Sequence, residues 1–269
     1  ALDANTTGAN SVSIGHGSLG NNTTGGSLVA IGQGSMSANT EGEFNVAVGR
    51  DSQAANTTGS RNTSLGYNSL SSSTTANNIT AIGKEALAAN TTGSFNTAVG
   101  NEAMVTNTTG YQNVAVGSSA LDANTEGNNN VALGYAALGA NTTANNNTAL
   151  GDRSLDANTT GANNTAVGQL SLSANTTASN NVAVGKSALL LNTTGERNVA
   201  IGSSALDANT TASYNIAIGV SSLTSNTTGA NNVAIGDQAL SDNTTADNNT
   251  AVGHNAGLSV TTGTQNTFL

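Results

Sequence analysis

The stretch NVAVGSSALDANTEGNN, residues 113–129, is followed directly by NVALGYAALGANTTANN, residues 130–146, which repeats it with few changes. Aligned on the first Asn, the same seventeen-residue unit starts at residue 11 and then at every seventeenth residue up to 266, with no insertion. Such a strict period indicates a solenoid, in which each repeat forms one coil and stacks on the next. The sequence therefore predicts a single repeat solenoid over residues 1–269, with partial coils at 1–10 and 266–269.

The composition excludes several classes of protein. Charged residues make up 8% of the chain and aromatic residues 3%, so an ordinary globular core is not expected. The regular spacing of Val, Ile and Leu argues against disorder. The net charge of −9 comes from scattered single residues and leaves no basic stripe for nucleic acid. Since the chain also lacks a run of about 18 apolar residues, we expect no nucleic-acid partner and no membrane insertion of this segment.

Apolar residues recur at fixed positions of the coil, which we number 1 to 17 from the first Asn. Position 4 is Val, Ile or Leu in all sixteen coils, and position 9 is Leu or Met in fourteen. Apolar residues at positions 2 and 4 around a small residue indicate a short strand, and we interpret position 9 as an inward position on a second strand. The predicted fold class is all-β, a parallel β-solenoid or β-roll. The expected core residues are Ile14, Val48, Val99, Val116, Val167, Ile201, Leu87, Leu121 and Leu206.

Glycine marks one corner of the coil. Position 5 is Gly in all fifteen coils that contain it. A Gly that recurs at one place supplies a positive φ or a close approach of backbones. The glycines singled out as corner residues are Gly49, Gly100, Gly117, Gly168 and Gly202.

Asn and Thr mark the other corner. Position 13 is Thr in all sixteen coils, and position 12 is Asn in fourteen. These side chains close turns on their own backbone, and stacked Asn residues can hydrogen-bond from coil to coil. The predicted polar ladder includes Asn124, Thr125, Asn141, Thr142, Asn158 and Thr159.

The NTT triplets at this corner permit two other interpretations. They fit the N-x-[ST] acceptor of N-glycosylation, although glycans spaced about 4.8 Å apart at every coil would collide. Ranks of Thr are also a feature of ice-binding surfaces, but two adjacent Thr would face opposite sides of an extended strand. The acceptor triplets begin at Asn5, Asn56, Asn90, Asn107, Asn141 and Asn158, and at equivalent positions of later coils.

The sequence contains no recognisable catalytic or metal-binding constellation. His16 and His254 are the only histidines, and cysteine is absent. The carboxylates at position 10, such as Asp122 and Asp156, are separated by whole coils, too far apart for a two-carboxylate mechanism. Gly-rich stretches lack the strand, helix and Lys of a phosphate-binding loop. We therefore expect no enzymatic activity, no cofactor and no bound metal.

The motif NVAVGxxAL resembles the head repeats of trimeric autotransporter adhesins, the YadA-like heads. Their SVAIG units build a left-handed parallel β-roll that trimerises. The usual unit is shorter, and the additional residues in this chain fall in the NTTG corner. The stretch GHNAGLSVTTGTQNTFL, residues 253–269, is more specifically similar to repeats of phage tail fibres and of bacterial fibre proteins that end in an intramolecular chaperone domain.

The resemblance implies a non-enzymatic structural or adhesive fibre segment at a cell surface, in an extracellular filament or on a virion. It implies self-association as a parallel homotrimer and contact with a host-surface or matrix receptor. The partial coils at the two ends add a head-to-tail filament as another form of assembly. The small residues of position 3, including Ala98, Ala115 and Ala132, are candidate subunit contacts. The alternative function is a monomeric protein that binds an ordered lattice, ice or crystalline polysaccharide, with one flat face.

Overall fold

The computed structural model describes all residues, 1–269, as two compact units, residues 1–130 and 131–269. Both consist of short strands and turns, without a helix. In each unit the chain winds as a parallel β-solenoid with one coil for every seventeen residues. The fold class predicted from the repeat is confirmed.

Each coil contributes one strand, which occupies positions 2 to 4. The strands of the first unit are β1 Val12–Ile14, β2 Val29–Ile31, β3 Val46–Val48, β4 Thr63–Leu65, β5 Thr80–Ile82, β6 Thr97–Val99 and β7 Val114–Val116. Those of the second unit are β8 Val131–Leu133, β9 Thr148–Leu150, β10 Thr165–Val167, β11 Val182–Val184, β12 Val199–Ile201, β13 Ile216–Ile218, β14 Val233–Ile235, β15 Thr250–Val252 and β16 Thr267–Phe268.

Equivalent positions of successive coils stack directly on each other. Within each unit, every strand pairs in parallel with the strand of the next coil, and the paired residues are seventeen apart in sequence. Ala183, for example, pairs with Ala166 on one side and Ala200 on the other. Residues at the same position of successive coils therefore form a column. They share one environment, so the same residue type recurs along the column.

The residue that points into the coil is position 3, not position 4. The alanines of position 3 are 0% exposed from Ala30 to Ala251, whereas Ile14 is 58% and Ile201 39% exposed. The predicted core at position 4 is wrong, because alternation separates the two faces of a strand without telling which face points inward. The residues that lie outside the core, exposed or half-buried, are Ile14, Val48, Val99, Val116, Val167 and Ile201.

The predicted core at position 9 is confirmed. Leu87, Leu121 and Leu206 are all 0% exposed. They do not lie on a second strand, however, but in a turn, with φ of 53°, 55° and 54°. A left-handed backbone costs about 1–2 kcal/mol for a residue with a Cβ, and burial of a Leu side chain contributes about 1.5–3 kcal/mol. Packing therefore outweighs the backbone preference that would have favoured a strand.

Positions 3 and 9 fill one layer of the core together. In the coil 249–265, position 9 is Gly257 instead of Leu, and the next residue at position 3 is Phe268 instead of Ala. A Cβ atom added to Gly257 would lie 2.8 Å from Cδ2 of Phe268 and 3.0 Å from Cδ2 of Leu240. The Phe ring thus takes the space that Leu takes in other coils. This exchange of large and small residues explains why position 3 is small, Ala or Ser, wherever position 9 is Leu.

The corner glycines have the backbone conformation that the sequence predicts. Their φ values run from 127° at Gly168 to 144° at Gly100, a region that residues with a Cβ rarely adopt. The other predicted corner glycines, Gly49, Gly117 and Gly202, have φ of 136°, 136° and 137°.

Gln53 is the one polar residue in the column of position 9, and its amide is unpaired. Its side chain is 0% exposed, and neither Nε2 nor Oε1 has a hydrogen-bond partner. The neighbouring residues of the column, Met36 and Leu70, are also fully buried. A buried polar group without a partner destabilises a fold by about 1–3 kcal/mol.

We therefore expect Gln53→Met, which keeps the length of the side chain, to stabilise the protein by about 1–3 kcal/mol. Thermal unfolding followed by circular dichroism measures the change. Gln33→Met at the exposed position 6 is the matched control, and it should leave the melting temperature unchanged. An equal gain in both variants would show that burial of the amide is not the cause.

Candidate functional site

The most distinctive surface is formed by positions 2 and 4 of the stacked strands, which we call the aliphatic face. Position 2 is Val, Thr or Ile, and position 4 is Val, Ile or Leu up to Leu269. Val114 is 37%, Ile218 36% and Leu133 44% exposed. No charged residue occurs at positions 1 to 5 of any coil. In each unit the chain thus presents an apolar sheet with side chains about 4.8 Å apart between coils and about 6.6 Å apart along a strand.

Aromatic and arginine side chains line the two edges of the aliphatic face. Position 17, just before the strand, carries the stacked pair Phe44 and Arg61, with 6.0 Å between the guanidinium carbon and the ring centre. It also carries Arg197 over Tyr214 at 5.4 Å. The opposite edge holds the pairs Arg50 with Tyr67 at 5.8 Å and Arg153 with Tyr135 at 5.6 Å. Protein interfaces usually have an apolar centre and a polar rim, and they are enriched in aromatic residues and Arg.

The small residues of position 3 do not belong to this surface. Ala98, Ala115 and Ala132 are 0% exposed because they point into the coil. Their prediction as subunit contacts is therefore wrong, since a second chain cannot reach them. The exposed neighbours on either side, at positions 2 and 4, are the residues of the strand that another molecule can contact.

The polar ladder predicted at positions 12 and 13 is confirmed. Nδ2 of Asn124 donates to Oδ1 of Asn107 at 2.7 Å and to the carbonyl oxygen of Gly127 at 3.1 Å. In the second unit, Nδ2 of Asn158 donates to Oδ1 of Asn141 at 3.3 Å. The Thr hydroxyls donate to the carbonyl oxygen of the Thr one coil later, as from Thr108 to Thr125 at 3.0 Å and from Thr142 to Thr159 at 3.2 Å.

The ladder removes the NTT triplets from consideration as glycosylation sites of the folded protein. Five of the six predicted acceptors are 0% exposed, and the Nδ2 atom that would carry the sugar is a hydrogen-bond donor in each. Only Asn5 is exposed, and its Nδ2 donates to the carbonyl oxygen of Gly8 at 3.0 Å. The buried acceptors are Asn56, Asn90, Asn107, Asn141 and Asn158.

A second column of Asn, at position 1, has a role that the sequence interpretation missed. Oδ1 of Asn198 accepts from the backbone N–H of Asn215 at 3.0 Å, and its Nδ2 donates to the carbonyl oxygen of Ala212 at 2.8 Å. Ala212 lies at the end of the same coil and Asn215 begins the next one, so the side chain connects two coils where the strand has not yet begun. The occurrence of Asn at position 1 in thirteen of sixteen coils was the available signal.

The few charged groups lie at the corners of the coils. Nζ of Lys84 is 3.3 Å from Oε2 of Glu85 and 3.4 Å from Oε1 of Glu102, and hydrogen bonds to Glu85 and then Glu102 raise the pKa of the lysine. Burial raises the pKa of the Asp122 carboxyl. Nδ1 of His254 is 3.5 Å from Oδ2 of Asp237 at the surface.

No group of three or more His, Cys, Asp or Glu side chains is placed to hold a metal ion, and the surface has no concave pocket. The structure contains no helix with the length and apolar character needed to cross a bilayer. Neither a protein-family model nor a curated protein sequence matches the chain.

Proposed function

We propose that this chain is a non-enzymatic structural segment of an extracellular, cell-surface or virion fibre, and that copies of it associate through the aliphatic face. The observation that carries the proposal is an exposed or half-buried aliphatic side chain at position 4 of every complete coil, beside Val, Ile or Thr at position 2 and without a charge among them. Soluble proteins rarely expose a continuous apolar surface of this extent unless it binds something. The resemblance of the repeats to YadA-like heads supports the fibrous role.

The energy available from the face is sufficient for association. The eight complete strands β8 to β15 carry thirteen aliphatic residues at positions 2 and 4, and those such as Ile201 and Ile235 are 39% and 38% exposed. Full burial of such a side chain is worth about 1.5–3 kcal/mol, so covering the exposed part of all thirteen would contribute about 8–15 kcal/mol. Association itself costs about 4–15 kcal/mol. A stable complex thus requires contact over many coils, which a second copy lying alongside provides.

Charge is compatible with a second copy as the partner. A net charge of −9 disfavours contact between copies in general, but all charged residues lie at positions 6, 7, 10, 11, 14, 16 and 17. Contact through positions 2 and 4 keeps these charges at the edge, in water. A parallel trimer is the leading form by resemblance, and adhesion to a receptor would use the charged and aromatic corners.

Removing apolar side chains from the face tests the proposal. We expect the triple variant Ile201→Gln, Ile218→Gln, Ile235→Gln to dissociate into monomers while keeping its melting temperature within a few degrees, because the three side chains contribute to contact and little to the core. Sedimentation velocity at micromolar concentration measures the assembly state.

The control replaces three exposed Thr of position 14 in successive coils, Thr211, Thr228 and Thr245, by Gln. This triple variant should assemble like wild type. A wild-type chain that sediments as a monomer would contradict self-association, and dissociation of both triples would show that the face is not the contact.

The regularity of the face favours one second candidate, binding of a monomer to an ordered lattice such as ice or crystalline polysaccharide. Position 2 is Thr in seven coils and is otherwise β-branched and aliphatic, so its shape hardly changes from coil to coil. Thermal hysteresis that is present in wild type and lost in the Ile triple variant would support this function. Its absence would leave self-association as the explanation of the face.

A further inference from the structure

The Asn ladder of position 12 is interrupted inside the first unit, at Ser73. Ser73 and Asn56, its neighbour one coil earlier in the ladder, are both 0% exposed. Neither Oγ of Ser73 nor Oδ1 of Asn56 has a hydrogen-bond partner. Two unpaired polar atoms therefore lie at one level of the ladder, in a region where buried polar groups are normally paired.

A regular coil shows what the interruption removes. Asn107 donates through Nδ2 to Oδ1 of Asn90 at 2.8 Å, and its Oδ1 accepts from Nδ2 of Asn124 at 2.7 Å. Each carboxamide thus connects the coil before it to the coil after it. Ser73 lacks the two terminal heavy atoms of Asn, and its hydroxyl is attached directly to Cβ. It cannot span the two coil spacings, about 9.6 Å, between Asn56 and Asn90.

The same interruption affects the coil that follows. Nδ2 of Asn90 donates to the carbonyl oxygen of Gly93 at 3.0 Å, as the other ladder residues do within their own turns. In a regular coil, Nδ2 would also donate to Oδ1 of the Asn one coil earlier. Ser73 stands at that place and has no carboxamide oxygen to accept this hydrogen bond. An acceptor is therefore needed on the side of Asn90, and a donor is needed on the side of Asn56.

We propose that a single buried water molecule takes the place of the missing carboxamide beside Ser73. A water molecule both donates and accepts, so it can donate to Oδ1 of Asn56, exchange a hydrogen bond with Oγ of Ser73, and accept from Nδ2 of Asn90. Buried waters typically make about three such bonds, and the two heavy atoms by which Ser is smaller than Asn correspond to roughly one water. The site is specific to this coil.

The ladder ends differently at Val260, which makes that coil a natural comparison. Oδ1 of Asn243 is also unpaired there, but the residue that follows in the column is an apolar, β-branched side chain. It offers no hydroxyl to hold a water, and it fills more space than Ser. The unpaired oxygen of Asn243 alone does not make a water site, so the hydroxyl and the smaller side chain distinguish Ser73.

High-resolution crystal structures of the full chain and of two variants test the proposal. Wild type should show one ordered water within hydrogen-bond distance of Asn56 Oδ1 and Ser73 Oγ. Ser73→Asn should lack this water and show a continuous ladder, because Asn occupies this position in fourteen coils. Ser73→Ala should lose occupancy, since the water loses one partner. A dry site in wild type, or a water that persists unchanged in either variant, would overturn the proposal.

Thermal unfolding gives an independent readout. If the water replaces the carboxamide imperfectly, Ser73→Asn should melt about 2–4 °C above wild type, the size expected for one restored hydrogen-bond network in a chain of this length. Ser73→Ala should melt below wild type. A Ser73→Asn variant that melts below wild type would show that the ladder does not accept a carboxamide at this coil, and the proposed replacement by water would be wrong.

Discussion

Leu206→Asp is expected to lower the free energy of unfolding by about 3–5 kcal/mol, the range for an uncompensated buried charge. Leu206 is 0% exposed, and the columns around it contain no cation. Its backbone is left-handed, with φ of 54°, a conformation that Asp adopts more readily than Leu. The loss would therefore come from burial of the carboxylate and not from the backbone.

Ile201→Asp, in the same coil, is the matched control. Ile201 is 39% exposed at position 4, so the carboxylate can remain in water, and we expect a loss of about 1 kcal/mol or less. Chemical denaturation followed by circular dichroism compares the two variants under conditions where both are monomeric. Equal losses would place both residues in the core and would contradict the assignment of position 4 to the surface.

The contrast between Leu206 and Ile201 shows how far the sequence could predict the fold. The seventeen-residue period defines the stacking, and the invariant Gly and the Asn and Thr columns indicate the corners. Each of these features is one residue type that recurs at one position of the repeat. It therefore indicates a turn or a stacked column without any knowledge of which side chains fill the core. The buried Leu column belongs to the same class, because a large apolar residue in a charge-free column has few other roles.

Which face of the strand points into the core could not be predicted in the same way. Val116 is more hydrophobic than Ala115, yet Ala115 is 0% exposed and Val116 is half-buried. The volume of the core decides this, because the Leu of position 9 already fills the layer and leaves room only for a methyl group opposite. The available signal was the tolerance of Thr at position 2, compared with the near-uniform Ala of position 3.

Assigning position 4 to the core also excludes the aliphatic face as a candidate functional surface. The absence of charge at positions 1 to 5 is also what a buried segment would show, since charges are excluded from cores. Positions 2 and 4 are free of charge and nevertheless exposed. Exclusion of charge from an exposed column is not required by the fold of one chain, and it supports the proposed contact between copies. The aliphatic face exists because position 3 points inward, which the charge pattern alone does not reveal.

Gly168→Ala is expected to destabilise the protein by about 3 kcal/mol or more, from two separate effects. Gly168 has a φ of 127°, and holding a residue with a Cβ in such a sparsely populated region costs about 1–3 kcal/mol. The added Cβ would also lie 2.6 Å from the carbonyl oxygen and 2.7 Å from the carbonyl carbon of Gly185 in the next coil. Both are backbone atoms of a paired coil, so they cannot move aside without lengthening the hydrogen bonds between coils.

Gly20→Ala separates this effect from the general cost of changing a glycine. A Cβ on Gly20 would meet its nearest neighbour, the carbonyl oxygen of Gly17, at 3.4 Å, and Gly20 is not among the residues of positive φ. Substitution there should be neutral or should stabilise by up to about 1 kcal/mol through the unfolded state. Thermal unfolding of the two variants decides the matter. If Gly168→Ala and Gly20→Ala have the same melting temperature, the corner tolerates a side chain. The invariance of Gly at position 5 would then need a cause outside the folded chain.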